Sequence, residues 1–336
     1  MKGKKTVKWI AAAVLTLGSL FLLQRLLVPK YVEDVVEGAL IAEYYEEEKD
    51  PDVREHDVVF IGDCEVYENF SPAVLWQEYG INSYIRGSAQ QLIWQSYYLL
   101  EDTLRYETPK VIVFNVLPQK EAYNRMTLEG MKWSLSKVKS IQASMTDSEY
   151  FLDYVFPILR YHSRWYDLDK EDVEYLFRSH KVSHNGYYMR VDVKPAENVP
   201  AGQPLADYSF GENALSYLDK MTELCEEKGI QLVLIKAPSL YPYWYDEWEE
   251  QVEEYAEEHE LLYVNFLELT EEAGIDFSHM NLSGAEKLSR YFGQILTEET
   301  AVTDRRDEPA LCEAWEEKLE EYERDKEEQY RELENR

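Results

Sequence analysis

The apolar positions of this chain fall into short unbroken runs set between longer stretches with helical spacing. Asp57–Ile61, Asn82–Arg86, Lys110–Val116, Gln231–Lys236 and Leu262–Phe266 read as strands. Runs that are apolar without alternation predict strands covered on both faces. Between them, Ser71–Tyr79, Leu92–Tyr106, Glu212–Lys228, Glu247–Glu260 and Leu282–Leu296 repeat apolar residues at helical intervals. Thr108-Pro109 stops the second of these helices and Gly229 the third, as the chemistry of proline and glycine predicts. Strand and helix in alternation predict an α/β domain over residues 56–300, three layers α/β/α around a parallel sheet.

Three regions break the alternation. Residues 119–208 carry two helical patterns, Met126–Ser144 and Asp147–Leu159. Polar-aromatic clusters follow at Tyr161–Trp165 and His184–Tyr188. This region reads as an insertion or cap on the core. Residues 29–55 are charged and weakly periodic and predict a stalk or short helix. In residues 301–336, Leu311, Trp315, Leu319 and Tyr322 share one face of an acidic helix. Such a face predicts packing back on the domain or onto a partner.

The N-terminus is of another kind. Lys2, Lys4, Lys5 and Lys8 precede an apolar run from Trp9 to Leu23, extended by Leu26-Leu27-Val28 past Gln24-Arg25. With Arg25 snorkelling, the run reaches the roughly 20 residues a spanning helix needs. A cleavable signal peptide would want small residues after the run, and Gln-Arg-Leu-Leu-Val-Pro-Lys has none. Residues 1–28 are therefore expected to form a cytoplasmic tip and an uncleaved signal anchor. The lysines predict a single-pass protein with a cytoplasmic N-terminus and its main domain outside.

Composition narrows the function classes. Across 336 residues the hydrophobic fraction is 45%, enough for a packed core. The net charge of −31 argues against a nucleic-acid partner, since phosphate binding needs basic patches. The three cysteines, Cys64, Cys225 and Cys312, form no metal-type pair and no disulfide framework. Cys225 lies on the inward face of a helical pattern and reads as core. No phosphate-binding loop, dinucleotide glycine motif or His-Glu-x-x-His occurs, so no cofactor and no metal are expected.

Candidate chemistry gathers at strand ends. Val58–Ile61 ends at Gly62-Asp63-Cys64, and parallel sheets build sites at the carboxyl ends of their strands. Cys64 is either a nucleophile or a small buried side chain. A nucleophile needs a base, and the base needs an orienting group. Asp276-Phe277-Ser278-His279 lies between the last strand and the last helix. His279 can serve as base and Asp276 as its orienter. A developing oxyanion needs donors: Gly87 can supply a backbone N–H and Asn115 a side-chain amide. Tyr241–Tyr245, with Tyr241 and Trp244, is an aromatic loop that either packs or stacks on sugar rings. His162 and Arg164 either hold an anionic polymer or form a structural network.

Taken in order, these blocks resemble the SGNH/GDSL hydrolase superfamily, in particular its membrane-anchored extracytoplasmic members from Gram-positive bacteria. Phe60-Ile61-Gly62-Asp63-Cys64 resembles the first block, with Cys64 at the place of the nucleophilic serine. Arg86-Gly87-Ser88 is similar to the glycine block, Val113-Phe114-Asn115 to the asparagine block and Asp276–His279 to the final Asp-x-x-His block. Asn281–Lys287 and Tyr161–Trp165 resemble segments of the anchored subgroup. The resemblance implies an SGNH/flavodoxin-like fold and acyl-ester hydrolysis or O-acyl transfer on a cell-envelope polysaccharide. It also implies a surface polysaccharide or acyl donor as substrate and a membrane-bound acyltransferase as partner. Cys replaces Ser at the nucleophile position, and Asp63 and Glu65 flank it and oppose thiolate formation. The asparagine block lacks the Gly-x-Asn-Asp form, and the segments after Val116 and around Ser278 are short. These departures imply the rival reading, a degenerate domain that binds glycan or scaffolds an envelope assembly.

Overall fold

The computed structural model describes residues 2–29, 37–47, 55–118, 125–177, 181–192, 202–239, 243–267 and 281–335. Five strands form one sheet: β1 (Val58–Gly62), β2 (Ser83–Gly87), β3 (Val111–Asn115), β4 (Gln231–Lys236) and β5 (Leu262–Asn265). All pairings are parallel and the order is β2-β1-β3-β4-β5, the flavodoxin-like order of doubly wound sheets. Because side chains alternate across a strand, the apolar runs feed two cores. Val58, Phe60, Val111, Val113, Val233 and Ile235 enter one. Val59, Ile61, Ile112, Phe114, Leu232 and Leu234 enter the other. The expected three-layer α/β/α arrangement is therefore present.

Helices α3 (Cys64–Tyr67), α4 (Pro72–Tyr79), α13 (Leu282–Glu299) and α14 (Pro309–Glu334) cover the first face. Helices α5 (Ile93–Thr103), α11 (Glu212–Lys228) and α12 (Asp246–Glu258) cover the second, where Cys225 is buried as expected. Gly80 and Gly229 end α4 and α11 in the left-handed conformation, which costs glycine least. Asn281 caps α13, its side chain accepting from the Gly284 N–H at 3.0 Å. The acidic tail packs back on the domain. Trp315 stacks on Trp76 at 5.3 Å and donates to the Asn82 side-chain oxygen at 3.1 Å.

The segment read as a stalk or short helix contributes α2 (Glu37–Glu47). Leu40, Ile41, Tyr44 and Tyr45 are buried there, so residues 37–47 belong to the body of the domain and space nothing from it. Their apolar stripe is half tyrosine, and each hydroxyl needs a buried partner. Tyr44 donates to Glu107 at 2.7 Å and Tyr45 to Asp102 at 2.6 Å.

The insertion is more broken than its periodicity predicts. The pattern Met126–Ser144 splits into α6 (Arg125–Gly130) and α7 (Leu135–Ser144), the latter capped by Ser134. Asp147–Leu159 splits at Phe156-Pro157 into α8 (Phe151–Val155) and α9 (Ile158–Tyr161), because proline cannot continue the hydrogen-bond ladder. A 3-10 turn, His162–Tyr166, and α10 (Lys170–Glu174) follow. Residues 184–187 guard the open edge of β2, where the Ile85 N–H donates to the Asn185 carbonyl at 2.9 Å. Gly186 lies against that edge at φ +82°; a Cβ there would stand 2.0 Å from the Ile85 carbonyl oxygen. At the N-terminus, α1 (Lys2–Leu27) contains a 22-residue stretch, Thr6–Leu27, long and apolar enough to cross a membrane.

Candidate functional site

β2 lies on one side of β1 and β3 on the other, so the loops leaving β1 and β3 diverge and open a crevice at their carboxyl ends. Gly62 ends β1. A Cβ there would meet Val66 Cγ2 at 2.4 Å, so the missing side chain lets α3 fold back at once. Asp63 caps α3, its carboxylate accepting from the Glu65 N–H at 3.1 Å. Gly87 ends β2 opposite Gly62, and a Cβ on it would stand 3.0 Å from the Gly62 carbonyl oxygen. The carboxyl ends of β1, β2 and β3 thus stand side by side, with Gly87 and Asn115 both against Gly62 and Cys64 two residues beyond it.

What fills the crevice was not predicted. Glu65 turns inward and is buried. Its Oε2 accepts from Lys236 Nζ at 2.6 Å and from Asn115 Nδ2 at 3.0 Å. Lys236, the last residue of β4, also donates to the Ala237 carbonyl at 2.8 Å. Asn115 Oδ1 accepts from the Ala237 N–H at 2.9 Å. Both ends of the Asn115 amide are therefore engaged in joining α3, β3 and β4. A charge pair this deep holds only because its hydrogen bonds compensate for lost hydration. A space of about 10 Å³ touches Asn115 and is lined also by Gly62, Asp63, Gln91, Ile93, Phe114 and Leu117, room for about one water.

The electrostatics oppose a nucleophilic thiol. Burial pushes the half-buried Cys64 far above its ordinary value, and the Asp63, Glu68 and Glu65 carboxylates push it further. The thiolate is the reactive species, so this sulfur is held protonated. Asp63 is itself pushed up to about 7, first by burial and then by Glu65, with its hydrogen bond to the Glu65 N–H and the Lys236 charge acting in the other direction.

The other expected residues are placed as follows. Asp276, His279 and Tyr241 lie outside the described residues. Trp244 stands beside the site: its ring is 5.3 Å from Lys236 Nζ, and its indole N–H donates to Glu249 at 2.6 Å. His162 is exposed, with Nδ1 3.1 Å from the Leu159 carbonyl oxygen. Arg164 is engaged at the end of α1; it donates to the Leu27 carbonyl at 2.7 Å and to both oxygens of Asp172 at 3.0 Å. Among the described residues, no cluster of His, Cys, Asp and Glu could hold a metal ion. Sequence reasoning missed Glu65 and Lys236. One signal was available: a lysine closing an otherwise apolar buried strand must find an anionic partner. Comparison of the chain with protein-family models, curated proteins and solved structures gave no match.

Proposed function

We propose that this chain is a cell-envelope protein held by one membrane helix, whose SGNH-like domain lies outside the cytoplasm and binds or scaffolds a surface polysaccharide without turning it over. The observation that carries this reading is the plugged crevice. Asn115, the expected oxyanion donor, gives one of its two amide hydrogens to Glu65, and Cys64 sits among three carboxylates. Acyl transfer needs a thiolate and open donors; this arrangement disfavours the thiolate and commits one of the two Asn115 N–H groups to Glu65. The aromatic loop supports glycan contact: Tyr243 is exposed beside Tyr245 and close in sequence to Trp244.

One observation favours a catalytic reading. Asp63, pushed up to about 7, is a carboxyl group poised to exchange protons near neutral pH. Both readings meet in one experiment on the full chain purified in mild detergent. Acyl-ester turnover is measured beside iodoacetamide labelling of Cys64, in the natural chain and in Cys64→Ala, His279→Ala and Asp63→Asn. The expected result is turnover no higher than in Cys64→Ala, with Cys64 alkylated slowly. Turnover abolished by both Cys64→Ala and His279→Ala overturns the non-catalytic reading. Turnover that also follows Asp63 in its pH profile assigns the proton transfer.

A further inference from the structure

The insertion has an apolar surface that the domain does not cover. Leu152, Phe156, Leu159, Trp165, Tyr166 and Phe177 are exposed, Tyr166 at 83% and Phe177 at 76%. Outside α1 and the insertion, the exposed large apolar side chains among the described residues are Leu215, Tyr243, Tyr330 and Leu333, scattered along the chain at 37–51% exposure. Single exposed residues are ordinary, whereas a contiguous belt marks a surface that something covers.

The position of the belt identifies what covers it. Thr6–Leu27 spans 22 residues, about 33 Å of helix against a hydrocarbon core of about 30 Å. Its last turn therefore stands at one membrane–water interface. The insertion is fastened to that turn. Arg164 donates to the Leu27 carbonyl at 2.7 Å, and Arg25 Nε donates to the Leu176 carbonyl at 2.9 Å. Helices α9 and α10 and the 3-10 turn between them all pack on α1. Trp165 and Phe177 are the chain neighbours of residues 164 and 176, so the belt is tied to the interfacial level. A cleft of about 610 Å³ between α1 and the insertion carries Phe21 and Trp133 on its walls with Arg25 and Lys132. Tryptophan, tyrosine and snorkelling cations are the side chains that interfaces favour.

We infer that the insertion is a second membrane contact, with the apolar side chains of α8, α9, the 3-10 turn and Phe177 entering the outer leaflet of the bilayer that α1 crosses. The domain is then seated on the lipid in a fixed orientation and does not swing from a single tether. Amphipathic helices of this kind bury one apolar face at the level of the headgroups. The inference rests on α1 as a membrane anchor, and the test separates the two.

The full chain is placed in lipid nanodiscs made with ordinary or brominated phosphatidylcholine. Its natural cysteines are replaced and single bimane labels are introduced by Val14→Cys, Leu159→Cys, Phe177→Cys or Glu254→Cys. Brominated lipid is expected to remove much of the fluorescence at 14, 159 and 177 and to leave 254, on the exposed face of α12, unchanged. In the chain with its own cysteines, Trp165→Phe is expected to lower the fraction of tryptophan emission that brominated lipid quenches. Quenching at 14, with 159 and 177 behaving like 254, overturns the second contact and leaves the anchor standing. No quenching at 14 overturns the anchor and this inference with it.

Discussion

Arg86, in β2, and Lys236, at the end of β4, are both completely buried cations of one sheet, and their surroundings differ in a way that separates structure from site. Arg86 donates to Thr103 at 2.8 Å and the Leu99 carbonyl at 3.2 Å, with Asp102 3.6 Å away. The Tyr44 and Tyr45 rings cover its guanidinium at 4.0 and 5.1 Å. Around it each carboxylate has a partner of its own: Asp102 also meets Arg105 at 2.8 Å, and Glu107 meets the His56 ring at 2.9 Å. Lys236 instead bonds Glu65 in a neighbourhood where Asp63 is a second buried acid. The first cluster is balanced and locks α2 onto β2 and α5. The second has more acid than base, at the strand ends where a ligand would approach. An excess of buried acid keeps a proton in play near neutral pH, and that difference can be broken by mutation.

Lys236→Met is expected to have the largest effect. It leaves Glu65 buried with only the Asn115 amide, and stripping one partner from a buried ion pair costs about 3–5 kcal/mol. Urea unfolding in mild detergent, followed by tryptophan fluorescence, measures the loss. Adding Glu65→Leu to Lys236→Met is expected to recover most of it, since replacing a whole buried pair with apolar groups is often neutral. A double variant as unstable as the single one would show that Lys236 is held for some purpose other than Glu65.

Tyr45→Phe probes the balanced cluster more gently. It removes the donor at 2.6 Å from Asp102, and a buried acceptor left short of a partner costs about 1–3 kcal/mol. Hydrogen exchange is expected to speed up across residues 38–46 while the β4 amides stay protected. Uniform loss of protection would mean that α2 is part of the global folding unit and not a helix locked on separately.

The pH dependence of the two clusters has opposite sign. Asp63 is raised to about 7 when folded, so between its unfolded value near 4 and 7 the folded state holds a proton that the unfolded state has released. Stability therefore falls as pH rises through that window. Glu43, raised to about 7 by burial despite its bonds to Ser183 and Val182, adds the same sign. Burial alone would raise Glu107 too, but His56, Tyr44 and the His56 N–H outweigh it and hold Glu107 below the usual carboxylate range. Its contribution is present above its unfolded value and is lost as pH falls. Asp63→Asn is expected to flatten the decline between pH 4 and 7, and Glu107→Gln to remove part of the loss of stability below about pH 4.5, where the Glu107 contribution is lost, both read from urea midpoints across pH. An unchanged slope in Asp63→Asn would place the excess proton elsewhere, with Glu43→Gln as the next test.

The same contrast explains what the sequence made legible. The sheet was readable because most strands are short apolar runs with few alternatives; β4 matches its expected bounds, Gln231–Lys236, while β2, Ser-Tyr-Ile-Arg-Gly, is the least apolar of them. The strand-end residues Cys64, Gly87 and Asn115 were readable because glycine and polar residues directly after such runs sit where sites form. The partners were not. Glu65 and Lys236 lie 171 residues apart, and no periodicity links a charge on a four-residue helix to one ending a distant strand. The role of α2 was hidden for a related reason: Tyr44 and Tyr45 stand in an acidic stretch, and only the fold reveals that Asp102 and Glu107 wait for their hydroxyls. The breaks in the insertion follow from local chemistry, a serine cap at Ser134 and a proline at 157, which an unbroken helical spacing conceals.

Cys64→Ser is expected to change least and sharpens the comparison most directly at the site. The side chain is half-buried at the first position of α3, and exchanging sulfur for oxygen there should shift stability by about 1 kcal/mol or less. It puts a serine where the resemblance to the SGNH/GDSL hydrolases leads one to expect the nucleophile. If the crevice is plugged as described, ester turnover stays at the level of Cys64→Ala. The Asn115 amide is still held by Glu65 through one of its N–H groups at 3.0 Å, and a new hydroxyl does not change that hold. Glu65→Gln in the same chain loosens that hold by removing the charge, and a gain of turnover only in the Cys64→Ser, Glu65→Gln double variant would identify the Glu65 plug as what holds the site silent. Turnover in Cys64→Ser alone would mean that base and oxyanion donors already stand ready, and that the acid-rich cluster is a working site limited by its sulfur.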